Sequence, residues 1–484
     1  MKRVRLAWPA IGLAAAIVTA ACGASPAVTR TVNTRNAAAA STGSATATGP
    51  AAAAVAAGPA AGSAASGPVT TLATAPGGAS AAAPVSGSSP VAASSSSPAA
   101  AAAAGPGACG AQAPPGGNGG ATDTGVSADT IKIGGTFFNG SYLDKYSQVT
   151  ENAAKAYFQY VNDQGGICGR KISFTTCDTA GTADGTSGCL STLADQDHVF
   201  TMGPSLDFNL DIVQPFLASH KLPWVGDSGL YPGEFSSPWM FPSQISGQQV
   251  GSLITTYAGT TLHLKKVGIS LLNEVAGPDC TKRAQAVAQK LGMDASATAS
   301  NGEVETGLDS QVSTLKNAGV QGVLFCNDPV NTIKFIQAAQ RAGWHPTFVG
   351  GFVAADDVPQ AAGSYAAGMY GFTSFDFYKD SSPGIQQYRQ ITEYYFPNTF
   401  HHFYEQAAYI GAEAVVAALR KAGPRLTRTA FVTALRSFTD FDTGMGLHLN
   451  FANLASAVPS GIMLQADQSL KWHVTSGRFL PATS

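Results

Sequence analysis

The sequence lacks long runs of like charge. Its 28 lysines and arginines and its 30 acidic residues give a formal net charge of -2, and neither sign is clustered. A nucleic-acid partner is therefore not indicated, because proteins that bind nucleic acids present concentrated basic surface. After the amino-terminal region, no apolar segment is long enough to span a bilayer. No Cys-x-x-Cys pair or paired histidine spacing accompanies the cysteines, so neither a metal nor another cofactor is predicted.

Residues 1–21 have the features of a secretory signal peptide. Three basic residues precede an apolar run from Leu6 to Val18, which is too short to cross a bilayer as a helix. Small residues then lead to Cys22, and the arrangement resembles the lipobox of bacterial lipoproteins, although Thr19 stands where that motif usually has leucine. The resemblance implies a lipid on Cys22 and a protein held on the outer face of the cell membrane. The alternative is ordinary cleavage without lipid.

Residues 22–107 are predicted to form a disordered, lipid-anchored linker. Between residues 23 and 107, 65 of 85 residues are Ala, Ser, Gly or Pro, and Arg30 and Arg35 are the only charged ones. Such a composition cannot bury enough apolar surface to offset the entropy of ordering the chain. As a flexible coil the linker would span about 50 Å. The remaining residues, 108–484, are enough for two domains.

Six further cysteines lie in a chain that is addressed to an oxidising compartment: Cys109, Cys168, Cys177, Cys189, Cys280 and Cys326. Disulfides are the expected state in such a compartment, although the sequence alone permits many pairings. Cys177 ends a predicted strand and Cys189 starts the following helix. Cys280 starts a helix and Cys326 ends the strand of the next unit, which leaves Cys109 for Cys168. The expected pairs are therefore 109 with 168, 177 with 189, and 280 with 326.

Short apolar strands alternate with longer amphipathic helices along the folded region. A first series comprises strands at 130–134, 171–177, 198–202 and 222–225 and a helix at 149–162. A second series comprises strands at 266–271, 322–326 and 347–350 and helices at 281–291, 308–318 and 331–342. Alternation at this spacing predicts an α/β fold with parallel sheets, covered by helices on both faces. In such sheets ligands bind beyond the carboxyl ends of the strands.

The residues that follow the predicted strands are polar or rich in glycine. They are Phe138-Asn139-Gly140, Asp178-Thr179, Gly203-Pro204-Ser205, Gly226-Asp227-Ser228-Gly229, Asn273-Glu274, Asn327-Asp328 and Gly350-Gly351-Phe352. Each polar residue taken alone has a second interpretation, as a cap of the next helix. Their recurrence in both series indicates a shared binding cleft.

Two local motifs suggest other chemistries. Gly-Asp-Ser at 226–228 occurs in proteases and esterases, but the alternation excludes a fold of two β-barrels. The esterases also need Asp-x-x-His near the carboxyl end, whereas Asp195 and His198 precede the serine. His401, His402 and Glu405 have helical spacing suited to a metal, yet a solvated helix start is favoured because no ligand from a third element is identifiable.

Four stretches together resemble the extracytoplasmic solute-binding proteins of branched-chain amino acid ABC transporters. They are Gly125-Val126 with Ile131-Lys132-Ile133-Gly134, residues 156–172, Gly203-Pro204-Ser205, and Leu222-Pro223-Trp224-Val225-Gly226. The second stretch is the most specific, because a helix leads through a Gly165-Gly166 turn into the strand entry Gly169-Arg170-Lys171-Ile172. The order of elements agrees from Thr124 to Leu480.

The resemblance implies the type 1 periplasmic binding protein fold, with two Rossmann-like α/β lobes joined by three chain crossings. The first lobe would comprise residues 108–246 and 371–442, and the second would comprise 247–370 and 443–484. The resemblance also implies that the protein is not an enzyme. It would capture a small solute between closing lobes and deliver it to an ABC permease, or it would sense a ligand for another partner.

Members of this family that bind amino acids hold the carboxylate with hydroxyls and main-chain amides, and the ammonium with an acid of the second lobe. At the corresponding positions this chain has Asp207, Leu230 and Phe352. Ser205 or Ser228 is the nearby hydroxyl expected to bind a ligand carboxylate in their place. Asp328 or Glu274 is the nearby acid expected to bind a ligand ammonium. The expected ligand is a small polar or amphipathic solute, with a branched-chain amino acid as one candidate. The candidate contacts are Phe138, Asn139, Tyr142, Ser205, Leu206, Asp207, Asp227, Ser228, Gly229, Asn273, Glu274, Asn327, Asp328 and Phe352.

Overall fold

The computed structural model describes residues 109–226, 231–273, 276–477 and 480–481. The predicted signal peptide, Cys22 and the linker lie outside the described residues. Four of the candidate site residues also lie outside them, namely Asp227, Ser228, Gly229 and Glu274. Within the described part of the chain, no helix is both long enough and apolar enough to cross a membrane.

Helices and strands alternate along most of the chain. The first segment contains β1 (Thr130–Phe137), α1 (Asp144–Asp163), β2 (Lys171–Asp178), α2 (Ala183–Ser191), β3 (Thr201–Met202), α3 (Leu210–His220), β4 (Trp224–Val225) and β5 (Met240–Phe241). The middle segment contains α4 (Gly247–Thr260), β6 (Lys266–Leu272), α5 (Gly277–Lys290), β7 (Asp294–Asn301), α6 (Asp309–Asn317), β8 (Gly322–Cys326), α7 (Pro329–Arg341), β9 (Thr347–Gly350), α8 (Asp357–Ala362) and β10 (Tyr370–Thr373). The last segment contains α9 (Pro383–Tyr395), α10 (Phe403–Ala422), α11 (Arg428–Arg436), β11 (Phe441–Asp442), β12 (His448–Leu449), β13 (Ser460–Ala466), β14 (Trp472–Val474) and β15 (Leu480–Pro481).

The strands form two main sheets, and each sheet is the centre of one lobe. The first sheet has the order β2-β1-β3-β4-β5, and all of its pairs are parallel. The second has the order β14-β13-β10-β9-β8-β6-β7, with β15 beside β13. Its pairs from β10 to β7 are parallel, whereas β13 is antiparallel to β10, β14 and β15. The sheets are thus mainly parallel, as predicted, with one antiparallel edge, where β14 follows β13 without a crossover helix.

Three crossings connect the lobes. The first lies between β5 and α4 at Ser246, whose side chain accepts a hydrogen bond from the Gln249 main-chain amide and caps α4. The second follows β10, and the third precedes β13. The Gln249 side chain donates to the Val458 carbonyl at 3.0 Å, and the Asp376 amide donates to the Met445 carbonyl at 2.7 Å. These bonds tie neighbouring crossings together.

Strand pairing corrects two of the predicted lobe boundaries. Residues 371–373 belong to β10, which pairs with β9 and β13, so they lie in the second lobe and not in the first. Phe451 packs against Phe241 of β5, with ring centroids 5.4 Å apart, so the chain after residue 443 is still in the first lobe. The first lobe thus extends close to Val458. Its helices α9 and α10 pack on α1.

The three disulfides join the expected pairs. Cys109 is bonded to Cys168, Cys177 to Cys189, and Cys280 to Cys326. The first bond holds the chain before β1 to the turn after α1. The second joins β2 to α2, and the third joins α5 to β8.

Arg170 fixes the entry to the first lobe. Its side chain is completely buried, and the guanidinium donates to four main-chain carbonyls. The acceptors are Ser127 at 2.7 Å, Pro424 at 3.0 Å, Asn118 at 2.6 Å and Gly120 at 2.9 Å. One side chain therefore holds the segment before β1 against the loop after α10.

Candidate functional site

The carboxyl ends of the first sheet carry Asp207, which is 2% exposed. The Thr186 hydroxyl lies 3.0 and 3.1 Å from its two carboxylate oxygens, and the Asn209 amide donates to it at 3.1 Å. Burial raises the pKa of Asp207, although these hydrogen bonds favour its charged form. The carboxylate is thus held by groups of its own lobe.

Ser205 and Leu206 connect this loop to β1. The Ser205 hydroxyl accepts a hydrogen bond from the Thr136 amide at 3.1 Å and donates to the Gly203 carbonyl at 3.2 Å. The Leu206 amide donates to the Thr136 carbonyl at 3.0 Å. Both residues are buried, and both hydrogen bonds of the serine hydroxyl are made within the first lobe.

The loop after β1 contributes an aromatic and an amide. Phe138 is buried and packs on Phe208, with ring centroids 4.5 Å apart at an angle of 60°. The Asn139 side chain donates to the Glu151 carboxylate at 2.6 Å. Tyr142 is partly buried against the core of the lobe. These residues line the same end of the sheet as Asp207, because β1 and β3 are parallel neighbours.

In the second lobe, buried amides join the ends of three adjacent strands. The Asn327 side chain donates to the Asn301 side-chain oxygen at 2.6 Å and to the Ser270 hydroxyl at 3.2 Å. Asn273 is exposed, and its main-chain amide donates to the Asn301 carbonyl at 2.9 Å. This network fixes the loops after β6, β7 and β8 relative to one another.

Asp328 caps the helix that follows β8. Its carboxylate accepts hydrogen bonds from the Asn331 amide at 2.9 Å and from the Asn331 side chain at 2.7 Å. Burial raises the pKa of Asp328. Burial and the Asp328 carboxylate together raise the pKa of Tyr404 in the first lobe. Asp328 therefore occupies the side of the second lobe that faces α10.

The contacts between the two lobes include an aromatic pair and an ion pair. Phe352 stacks on Phe403, with ring centroids 5.8 Å apart at 28°. Lys145 lies 2.5 Å from the Asp357 carboxylate, and the Tyr146 hydroxyl donates to the same oxygen at 3.0 Å. Phe352 is the one of these that the sequence predicted. The others lie at the starts of α1, α8 and α10, so a search of strand ends does not find them.

His402 lies beside this contact and is completely buried. Its Nδ1 atom accepts a hydrogen bond from the Tyr404 amide at 3.1 Å, so the neutral ring carries its proton on Nε2. No group in the described structure pairs with Nε2. Burial lowers the pKa of His402 to about 3. The residue does start a helix, but the expectation of a solvated helix start is wrong, because aromatic rings of Tyr146 and Phe403 enclose it.

A cluster of three titratable residues lies next to it. His401 Nδ1 is 3.0 Å from the Glu405 carboxylate, and His401 Nε2 is 3.2 Å from Glu393. Burial lowers the pKa of His401, but the two carboxylates outweigh this effect and leave it raised. Among the described residues, no group of three or more His, Cys, Asp or Glu side chains is placed to hold a metal ion.

Comparison with known proteins agrees with this two-lobed arrangement. A family model described as periplasmic binding protein matches residues 130–469. The chain belongs to the periplasmic binding protein family. No curated protein matches the sequence significantly.

Solved structures share the fold of this periplasmic binding protein. A fatty acid ABC transporter substrate-binding protein from Thermomonospora curvata superposes with a TM-score of 0.69 at 19% identity, covering 76% of this chain and 96% of its own. A branched-chain amino acid transporter protein from Streptococcus pneumoniae, in complex with isoleucine, gives 0.64 at 17% identity, with 73% and 100% covered. A branched-chain amino acid ABC transporter protein from Thermus thermophilus with bound valine gives 0.64 at 17% identity, with 73% and 96% covered. The fold is thus the type 1 periplasmic binding fold, as the sequence predicted.

Proposed function

We propose that this chain is the solute-binding component of an ABC transporter and that it holds its solute between the two lobes. The observation that carries the proposal is the contact of both lobes beyond the carboxyl ends of their parallel strands, where Phe352 meets Phe403. A solute that touches both lobes binds most tightly to the closed form and therefore shifts the population toward it. The permease would then recognise the closed form.

The residues of this region favour an amphipathic solute. Rings of Phe138, Tyr146, Phe352 and Phe403 offer apolar contact area, and the polar groups are amides and buried acids. A free carboxylate is disfavoured near Asp207 because like charges repel in a buried site. The solved relatives are named for fatty acid or bind isoleucine and valine, and these compounds all combine an apolar part with a polar end.

Identification of solutes that copurify tests this proposal directly. The secreted chain is denatured, and the released small molecules are analysed by mass spectrometry. Candidates are then added back in a thermal-shift panel of amino acids, fatty acids, aromatic acids, amides and polyols. A true ligand at one hundred times its dissociation constant stabilises the fold by about 2.7 kcal/mol. If nothing copurifies and no compound raises the melting temperature, the proposal is wrong.

We further propose that Cys22 carries the lipid that keeps this receptor beside its permease. The sequence from Leu6 to Cys22 supports this, since a short apolar run and small residues lead to the cysteine. A lipid anchor with two or more acyl chains holds a protein stably on a membrane. Cell fractionation of Cys22→Ala should move the protein from the membrane fraction to the soluble fraction. Equal membrane retention of both forms would exclude the anchor.

A further inference from the structure

A cavity of about 360 Å³ is lined by side chains of both lobes. The second lobe contributes Asp356 and Asp357, and the first lobe and the second crossing contribute the rest of the lining: Tyr378, Lys379, Arg389, Glu393, Thr399, Phe400 and His401. None of the candidate residues predicted from the strand ends lines it. Its volume is at the lower end of the range of about 300–1,000 Å³ that is typical of small-molecule sites.

Of the two basic side chains in the cavity, Lys379 has an ion-pair partner and Arg389 has none among the described residues. Lys379 forms an ion pair with Asp356, and the second carboxylate, Asp357, is paired with Lys145 outside the cavity. Glu393 is paired with His401. Arg389, in contrast, is a partly buried residue whose guanidinium has no hydrogen-bond, ion-pair or ring partner among the described residues. Arg389 therefore offers a complete planar set of donors to a bound anion.

The acidic side chains of the cavity, Asp356 and Asp357, have carboxylate oxygens that accept no hydrogen bond. One oxygen of Asp356 and one of Asp357 are out of contact with water, and neither has a hydrogen-bond partner in the described structure. The Thr399 hydroxyl on the facing wall is in the same condition. The Asp356 and Asp357 side chains are nevertheless 26% and 25% exposed, so an ammonium group in the cavity can reach the accessible part of either carboxylate. Tyr378 and Phe400 add flat apolar surface between the two sets of charges.

We propose that this cavity is a second small-molecule site, separate from the strand-end cleft, and that it takes an ampholyte. The anionic group of the ligand pairs with Arg389, and its ammonium group pairs with Asp356 or Asp357. A simple anion is disfavoured because it meets the carboxylates of Asp356, Asp357 and Glu393, and a simple cation is disfavoured by Arg389 and Lys379. Because the ligand joins both lobes, it stabilises the closed form.

The test uses a series of ω-amino acids from glycine to 8-aminooctanoate as probes, with hexanoate and hexylamine as singly charged controls. Melting temperatures and calorimetric titrations are recorded on the secreted chain. At least one member of the series should raise the melting temperature by a few degrees, and the singly charged controls should have little effect. Arg389→Gln should fold normally, because the guanidinium has no hydrogen-bond or ion-pair partner among the described residues, and should weaken binding of that probe at least tenfold. Asp356→Asn should also weaken it.

Arg425→Gln is the matched control, because Arg425 is exposed in the first lobe and does not line the cavity. Its affinity for the probe should equal that of the natural chain. The proposal is overturned if no ω-amino acid binds, or if one binds Arg389→Gln as tightly as the natural chain. A solute of the strand-end cleft stabilises Arg389→Gln and the natural chain equally, so failure of this inference leaves the transport proposal intact.

Discussion

At the scale of single residues, Arg170 combines complete burial with four hydrogen bonds to main-chain carbonyls. Its guanidinium is fully buried and donates to carbonyls from three separate stretches of chain, around residues 118–120, 127 and 424. Lysine cannot replace this planar guanidinium, because its single ammonium group cannot reach carbonyls in several directions at once. Each buried carbonyl left unpaired costs about 1–3 kcal/mol.

Arg170→Lys should therefore lower the free energy of unfolding by about 2–4 kcal/mol. Urea unfolding of the protein measures this loss. Arg425→Lys is the control, because Arg425 is exposed in the same lobe, and its unfolding midpoint should stay within error of the natural chain. Equal midpoints for both variants would show that the four hydrogen bonds of Arg170 contribute nothing.

In the structure Asp328 caps α7. The sequence also predicts it as an acid that contacts a ligand, so the cap and the charge need separate substitutions. Asp328→Ala should cost about 1 kcal/mol of stability through loss of the cap. Asp328→Asn keeps a capping side chain and removes the charge, so its melting temperature should stay close to that of the natural chain. If Asn destabilises as much as Ala, the charge and not the cap is what the helix needs.

At the scale of helices and strands, the predictions succeeded where apolar periodicity is strong. The helix expected at 331–342 is α7, and the strand expected at 322–326 is β8, which is buried at every position. The strands expected at 198–202 and 222–225 shrink to Thr201–Met202 and Trp224–Val225. Their apolar residues are buried as predicted. In each of these strands, however, only two residues are paired with a neighbouring strand.

Some elements carry no signal that a single sequence reveals. Strand β7 consists of small and polar residues, with Thr298 as its one residue branched at Cβ, so its composition does not predict a strand. The interlobe contact involves Tyr146, Asp357 and Phe403, which come together only because α1, α8 and α10 begin at the same edge. The polar groups at strand ends were found from the sequence, but their bonding to their own lobe depends on tertiary structure. That bonding is evident for Asp207 and Ser205.

The start of α10 gives the fold a dependence on pH. His402 is buried and neutral, with its pKa lowered to about 3, whereas an unfolded chain protonates histidine near pH 6.5. Below that pH the unfolded state binds more protons than the native state, so stability falls as pH falls, by up to about 1.4 kcal/mol per pH unit. Neighbouring His401 acts in the opposite direction, because its raised pKa stabilises the fold below its titration range.

His402→Asn isolates the first effect, since asparagine is a good helix cap and does not titrate. The stability of the natural chain relative to this variant should decrease by about 2 kcal/mol between pH 7 and pH 5. Urea unfolding at several pH values measures the difference. A constant difference between the natural chain and His402→Asn across this range would mean that the ring takes up a proton in the native protein as readily as in the unfolded chain.

At the scale of the whole molecule, the two lobes are joined by three covalent crossings and by a few contacts that a hinge motion can break. The disulfides lie within lobes, so they do not restrict the hinge: Cys109–Cys168 and Cys177–Cys189 are in the first lobe and Cys280–Cys326 is in the second. Lys145 and Asp357 form an ion pair between the two lobes. The free energy of this pair favours the arrangement in which the lobes are in contact.

Removal of that ion pair should shift the molecule toward its open form. The Lys145 and Asp357 side chains are 49% and 25% exposed, so the pair contributes at most about 1 kcal/mol, which corresponds to roughly a fivefold change in the ratio of closed to open molecules. Lys145→Met in the absence of solute should therefore have a larger radius of gyration by X-ray scattering. Lys155→Met is the control, because Lys155 pairs with Glu151 inside α1 and breaks no contact between lobes. Identical scattering from both variants would mean that other interlobe contacts, such as Phe352 with Phe403 and Lys379 with Asp356, keep the lobes together.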